Sequence, residues 1–302
     1  MDYYCVAAFP SGTTPESGVA IRLHLGDRLQ DCLYSAGNGT IHANNVRHYA
    51  GENHCSSFSG VGPAGYIYVA DAVAHTAGIV SAIFYTLRET YGTNVKSVFR
   101  NVDFTAVLLA GTVMFSSSDR QYLFEYSRLT VTAPGGPGLW FGHVIADARI
   151  VRTGIDTASG ILLTANTSQV TRAFDHFAGS EENHEIQPEV VSDVVEESDL
   201  VGDVVAYNGS SISWSVSKHS TWTGGARVGG QGSASFSISV DELSTWVLTG
   251  DVHLNAFRNG DGKHGNIRSR GTISTTTRLR LGVSGWRMSL NLQGAQIMPG
   301  SS

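Results

Sequence analysis

The chain has 302 residues, of which 15% are charged and 35 are Gly, and it carries a net charge of −6. That balance excludes a general electrostatic attraction to nucleic acid, and the low charge with abundant Gly, Ser and Thr excludes a helical bundle in favour of a β-rich protein with many turns. No apolar run approaches 18 residues, so no membrane span is expected.

In chain order, residues 1–32 read as an irregular N-terminal segment; the acid at Asp2 and the missing basic n-region do not read as a signal peptide. Cys5, Cys32 and Cys55 are odd in number and lack CxxC spacing, which argues against a disulfide framework and a zinc site, though one disulfide with a leftover thiol stays open. "AGYIYVADAV" (64–73) alternates like a strand. "VSAIFYTLRETYG" (80–92) places Ile83, Leu87 and Tyr91 on one helical face, but its β-branched and aromatic residues suit a strand pair with a turn equally well. "AVLLAGTVMF" (106–115) reads as a buried strand, "APGGPG" (133–138) as a turn, and "ARIVRT" and "GILLTA" as two more short strands. Polar, acidic 174–199 reads as a long loop whose later half returns to strand-like alternation.

The stretch after it is repetitive. Ser211, Ser213, Ser215, Val216, Ser220, Thr221 and Trp222 recur 24 residues on as Ser235, Ser237, Ser239, Val240, Ser244, Thr245 and Trp246. Gly160 and Asn166 recur as Gly202 and Asn208, an offset of 42 that reads as two coils of about 21. A period of 21–24 residues with short alternating segments is the signature of a β-solenoid, and a sandwich or jelly roll does not explain its constancy. The fold class expected is therefore all-β: a right-handed parallel β-helix over 33–271, with the polar loop near 174–199 leaving it. "RNGDGKHGN" (258–266) lacks the GK[ST] ending of a phosphate loop and reads as a turn. Residues 272–302 form a basic, atypical C-terminal segment.

The segments at 33–51, 64–79, 101–118, 138–151 and 198–215, and above all "STWVLTGDVHLNAF" (244–257), resemble a group of right-handed parallel β-helix proteins of fungi and bacteria. Members of that group usually carry a secretion signal and mostly lack an assigned activity. The resemblance implies an extracellular setting, and it breaks at 272–291, where an altered reading frame is one explanation; a start further upstream would suit it better. Its motifs are structural.

Candidate chemistry is sparse. Near strands lie Asp71, Asp103, Asp147, Asp156, Asp199, Asp203, Asp241 and Asp251, with no adjacent pair and no aligned triad; Asp199 and Asp203 with Arg152 are the one set that shares a face if the coils fall favourably. Two "ENH" tripeptides, 52–54 and 182–184, have no metal-ligand spacing, so no metal and no cofactor are expected. The ten acids between Asp175 and Asp203 and the acid-free basic stretch after Asp261 read as solvated surfaces, the alternative for the latter being a site for an anionic partner. Asn38, Asn166 and Asn208 are N-x-[ST] sequons, glycosylation acceptors in a secreted chain or otherwise turn residues. Trp222 and Trp246, one coil apart, make either a sugar-binding platform facing outward or a core ladder facing inward. The function expected is a non-catalytic, structural or carbohydrate-associated protein, a monomer whose partner is a polysaccharide or cell-wall glycan. The alternatives are a polysaccharide lyase or hydrolase on the same scaffold, and an accessory protein of fungal small-molecule biosynthesis.

Overall fold

A computed structural model describes residues 6–8, 32–36, 40–50, 56–61, 66–78, 80–85, 92–166, 189–207, 209–230, 232–269, 278–281, 288–291 and 296–299. The described residues form strands and turns with no helix, and the coils stack as a parallel β-helix.

One coil shows the plan. Val190–Glu196 lies on a first face, Glu197 turns the corner, Asp199–Val201 lies on a second face, Gly202 turns again, and Asp203–Tyr207 lies on a third. Ser211–Ser217 then returns to the first face and pairs in parallel with Val190–Glu196. Most strands inside the stack bond to the coil on either side, which covers their edges, while Asp199–Val201 pairs only with Thr221–Thr223 of the next coil.

Alternation with a period of two builds the core, because every second side chain points inward. On the first face the inward row runs Val69, Phe99, Phe124, Ile150, Val195 and Val216, each in register with the next and each buried. Phe99 and Phe124 stack at 5.0 Å. On the second face Leu200, Trp222, Trp246 and Ile267 form the corresponding row.

The 24-residue repeat is one coil, since Ser211 pairs with Ser235 and Trp222 with Trp246. The offset of 42 is also one coil, not two: Ile161 pairs directly with Asp203 and Ala165 with Ala206. Residues 167–188, outside the described residues, separate these strands in the sequence. Coil length is less uniform than the repeat implies. Ser237 pairs with Ala256 at an offset of 19, whereas Val69 pairs with Phe99 at 30. Parallel pairing demands matched strands but leaves the corners free to lengthen.

Other expectations are resolved by backbone pairing. Val80–Tyr85 is a strand, so no helix spans 80–92. The apolar run 106–115 is two strands, because Gly92–Ala106 ends and Ala110–Glu125 begins around a bend that leaves Leu108 exposed. Of the stretch 174–199 expected as a polar loop, Val190–Glu196 is a strand, and 174–188 lie outside the described residues. In the N-terminal segment Val6–Ala8 pairs in parallel with the strand Cys32–Ala36. In the C-terminal one, Arg278–Leu281 adds in parallel to Val252–Leu254 and then leads an antiparallel meander through Met288–Asn291 and Gln296–Pro299. Cys5, Cys55 and both ENH tripeptides lie outside the described residues.

The corner between the first and second faces is held by an internal hydroxyl spine. The residue after each corner points inward, and from the middle of the stack these are Ser127, Thr153, Ser198, Ser220 and Ser244, all buried. The N–H of each donates to the hydroxyl on the next coil: Ser127 to Thr153 at 3.2 Å, Thr153 to Ser198 at 3.0 Å, Ser198 to Ser220 at 3.2 Å and Ser220 to Ser244 at 3.1 Å. The hydroxyls of Ser127, Thr153 and Ser198 in turn donate to carbonyls two residues back. A bend breaks the backbone ladder, and a buried N–H left without an acceptor is costly, so a small hydroxyl residue supplies one. The repeated Ser-Thr-Trp thus has three jobs: spine, outward strand position and core.

Candidate functional site

Outside that spine, the corner itself carries an unusual series of residues. Asn45, Asp71, Asn101, Tyr126, Arg152 and Glu197 occupy equivalent positions on successive coils, and all have φ between 46° and 56°. Asn and Asp tolerate this left-handed conformation, whereas Tyr, Arg and Glu adopt it at a cost of about 1–2 kcal/mol each unless their surroundings compensate. Compensation comes from contacts between coils. The corner N–H of Tyr126 donates to Val151 O at 2.9 Å, and that of Arg152 to Glu196 O at 3.0 Å. Asn101 Nδ2 donates to Asp71 Oδ1 at 2.5 Å, and Arg152 donates to Tyr126 Oη at 2.8 Å and to Glu197 Oε2 through Nε at 2.7 Å. The guanidinium groups of Arg100 and Arg152 both lie over the Tyr126 ring, at 5.8 and 5.2 Å.

Five of these corners frame an open groove of about 570 Å³. Four strand spacings of about 4.8 Å give it a length of roughly 19 Å along the stack. Its lining mixes the amides of Asn45 and Asn101 with the carboxylates of Asp71 and Asp103, the cations Arg47, Arg128 and Arg152, and the exposed side chains of Val73 and Tyr126. Two residues further along the same strands, outward like Arg47 and Val73, Tyr49 stacks flat on His75 with centroids 5.2 Å apart and planes 9° apart. Tyr49 is 58% exposed.

Most cations around the groove already face a carboxylate on another coil. Arg128 meets Asp156 at 2.8 Å, Arg100 meets Glu125 at 3.6 Å, and Arg152 meets Glu197. Nearby, Glu196 takes both Arg149 and Lys218. Burial pushes the Glu196 carboxyl up, but these two cations outweigh it and hold the group below the usual carboxylate range. Among the described residues, Arg47 and Asp103 have no ion-pair partner.

The sites anticipated from sequence fall elsewhere. Trp222 and Trp246 are wholly buried, stacked at 4.8 Å with planes 8° apart, and their indole N–H groups donate to Gly202 O and Gly224 O. They take the inward orientation, so neither ring offers a platform to a sugar. Asn166 is 1% exposed, and its backbone carbonyl accepts the Trp140 indole N–H. Asn38 and Asn208 lie outside the described residues. Arg152, Asp199 and Asp203 are not brought together: Arg152 turns to Glu197, and Asp203, beyond the Gly202 bend, pairs with Arg227. Of the other acids, Asp156 is paired with Arg128, and Asp241 accepts the N–H groups of Lys218 and Leu243 as a corner cap. "RNGDGKHGN" is a turn, in which Asp261 accepts the N–H groups of Lys263 and Gly265. Among the described residues no group of three His, Cys, Asp or Glu side chains converges as a metal site, and no helix is long and apolar enough to cross a membrane.

Sequence reasoning did not find the Tyr49–His75 stack or the corner row. The corner residues share a backbone conformation but no residue type, and their spacing of 25–30 over the groove is irregular. It also missed a buried polar latch at the root of 167–188. There Glu189 accepts the His143 N–H at 3.1 Å with one oxygen and meets the Ser210 hydroxyl with the other.

No family model matches the chain, and no curated protein or solved structure is significantly similar to it.

Proposed function

We propose that the protein is a non-catalytic, carbohydrate-associated β-helix protein that lays an extended glycan along the corner groove. The observation that carries this reading is the groove's length over five coils, lined by planar amides and carboxylates beside exposed aromatic faces. Amides and carboxylates hydrogen-bond vicinal hydroxyls, while flat rings cover the apolar faces of sugars. A glycan array probed with the protein and with Tyr126→Ala tests it. Binding by the wild type, lost in the variant and without new reducing ends or unsaturated products, is the expected result; retention of no glycan overturns it. Asp71 and Asp103, on adjacent coils of the same groove, favour a hydrolase as the second reading. Release of reducing ends in the same experiment, abolished by Asp71→Asn and Asp103→Asn, would establish that one instead.

A further inference from the structure

We infer that the glycan taken by this groove is uncharged, and that a sugar ring stacks on the step formed by Tyr49 and His75. The inference rests on the carbohydrate reading and adds the class of sugar to it. Two independent features carry it.

The first is charge matching. A polyuronate or sulfated glycan is held by cations that have no other partner. Of the three arginines lining the groove, Arg128 is held by Asp156 and Arg152 by Glu197, both within hydrogen-bond distance. Arg47 alone is unmatched, and the same groove holds two carboxylates without an ion pair: Asp71, whose hydrogen-bond partner is the neutral Asn101, and Asp103, in register between Val73 and Arg128. A regularly spaced polyanion would meet these two carboxylates in the same register that brings it to Arg47. A polycation meets the converse conflict, because the register that brings it to Asp71 and Asp103 also brings it to Arg47.

The second is the apolar surface. Val73 is 51% exposed between Arg47 and Asp103 on the second face, and the flat Tyr49–His75 stack follows on the same side of the same strands. Tyr126 sits at the corner itself, with two guanidinium groups over its ring and its hydroxyl accepting from Arg152. Apolar surface beside fixed, internally neutralised polar groups suits a ligand that offers C–H faces and hydroxyls but no charge.

The test measures binding of the full chain to four hexasaccharides: cellohexaose and xylohexaose as neutral probes, hexagalacturonate as the anionic one and chitosan hexamer as the cationic one. The neutral probes are expected to bind with an affinity that does not change with added salt. Tyr49→Ala is expected to weaken that binding about tenfold and Tyr49→Phe to preserve it. Tyr49 is at the surface, so thermal unfolding of Tyr49→Ala should match the wild type. Tighter, salt-sensitive binding of hexagalacturonate or of chitosan overturns the uncharged class while leaving a carbohydrate protein. Binding of none of the four, together with an empty glycan array, overturns both. Neutral binding unaffected by Tyr49→Ala overturns the stacking step.

Discussion

At position 193 a carboxylate sits where the inward row of the first face calls for an apolar side chain. Asp193 is fully buried between Ala148 on one coil and Trp214 on the next, where no side chain among the described residues hydrogen-bonds its oxygens and the Val194 N–H only partly offsets the burial. Burial pushes its pKa from the ordinary 3.8 up to about 7. The folded chain therefore keeps a proton that the unfolded chain has released above pH 4. Stability contributed by this site is full below about pH 4, falls as pH rises toward 7, and stays lost above it. The difference is on the order of 4 kcal/mol at most. Asp193→Asn should raise the thermal midpoint at pH 8 and change it little at pH 4; equal shifts at both values would show that Asp193 is not protonated in the fold.

At the scale of the element, the hydroxyl spine turns a weak point of the β-helix into a continuous one. Ser220 accepts the buried N–H of Ser198 and passes its own N–H to Ser244, so one side chain ties together three coils. Ser220→Ala leaves the Ser198 N–H without an acceptor and should cost about 1–3 kcal/mol. Ser220→Thr keeps the hydroxyl, as Thr153 does naturally in the same row, and should cost less than the alanine variant. Urea unfolding with an unchanged m-value measures both; equal losses for the two variants would mean that packing and not the hydroxyl decides. The opposite bend uses closeness of backbone instead. A Cβ on Gly224 would stand 1.9 Å from Gly202 O, and Gly202 itself has φ of 140°, so two glycines recur there for steric reasons.

At the scale of the whole molecule, coils with offsets of 19 to 45 residues stack without interrupting the core, because each coil meets only its neighbours and extra residues fall between strands. The largest such addition lies between Asn166 and Glu189. In the next coil the partners of Ala165 and Val190 are Ala206 and Ser211, with only Tyr-Asn-Gly-Ser between them in the sequence. Replacing residues 167–188 with Asn-Gly brings Leu163 and Val204 to a spacing of 21, that of Asp193 and Trp214. The shortened protein should fold with an unchanged β circular-dichroism spectrum and a melting temperature within a few degrees of the wild type. Loss of cooperative unfolding would show that the segment belongs to the core.

The repeat, the alternation and the turn residues were enough to determine a parallel stack, because a constant offset of 24 forces like onto like, and only stacked coils satisfy it at Ser211–Ser235 and Trp222–Trp246 together. The chain order of spine, outward position and core in Ser-Thr-Trp was also written there, but alternation alone is symmetric: it separates two sides without saying which is inside. Packing made that choice, putting both indoles in the core, where they bury the most apolar area and reach carbonyl acceptors. The groove was decided by tertiary structure alone. Its residues come from five coils at unequal spacings, share a left-handed backbone instead of a side-chain type, and meet only when the stack brings the corners into line.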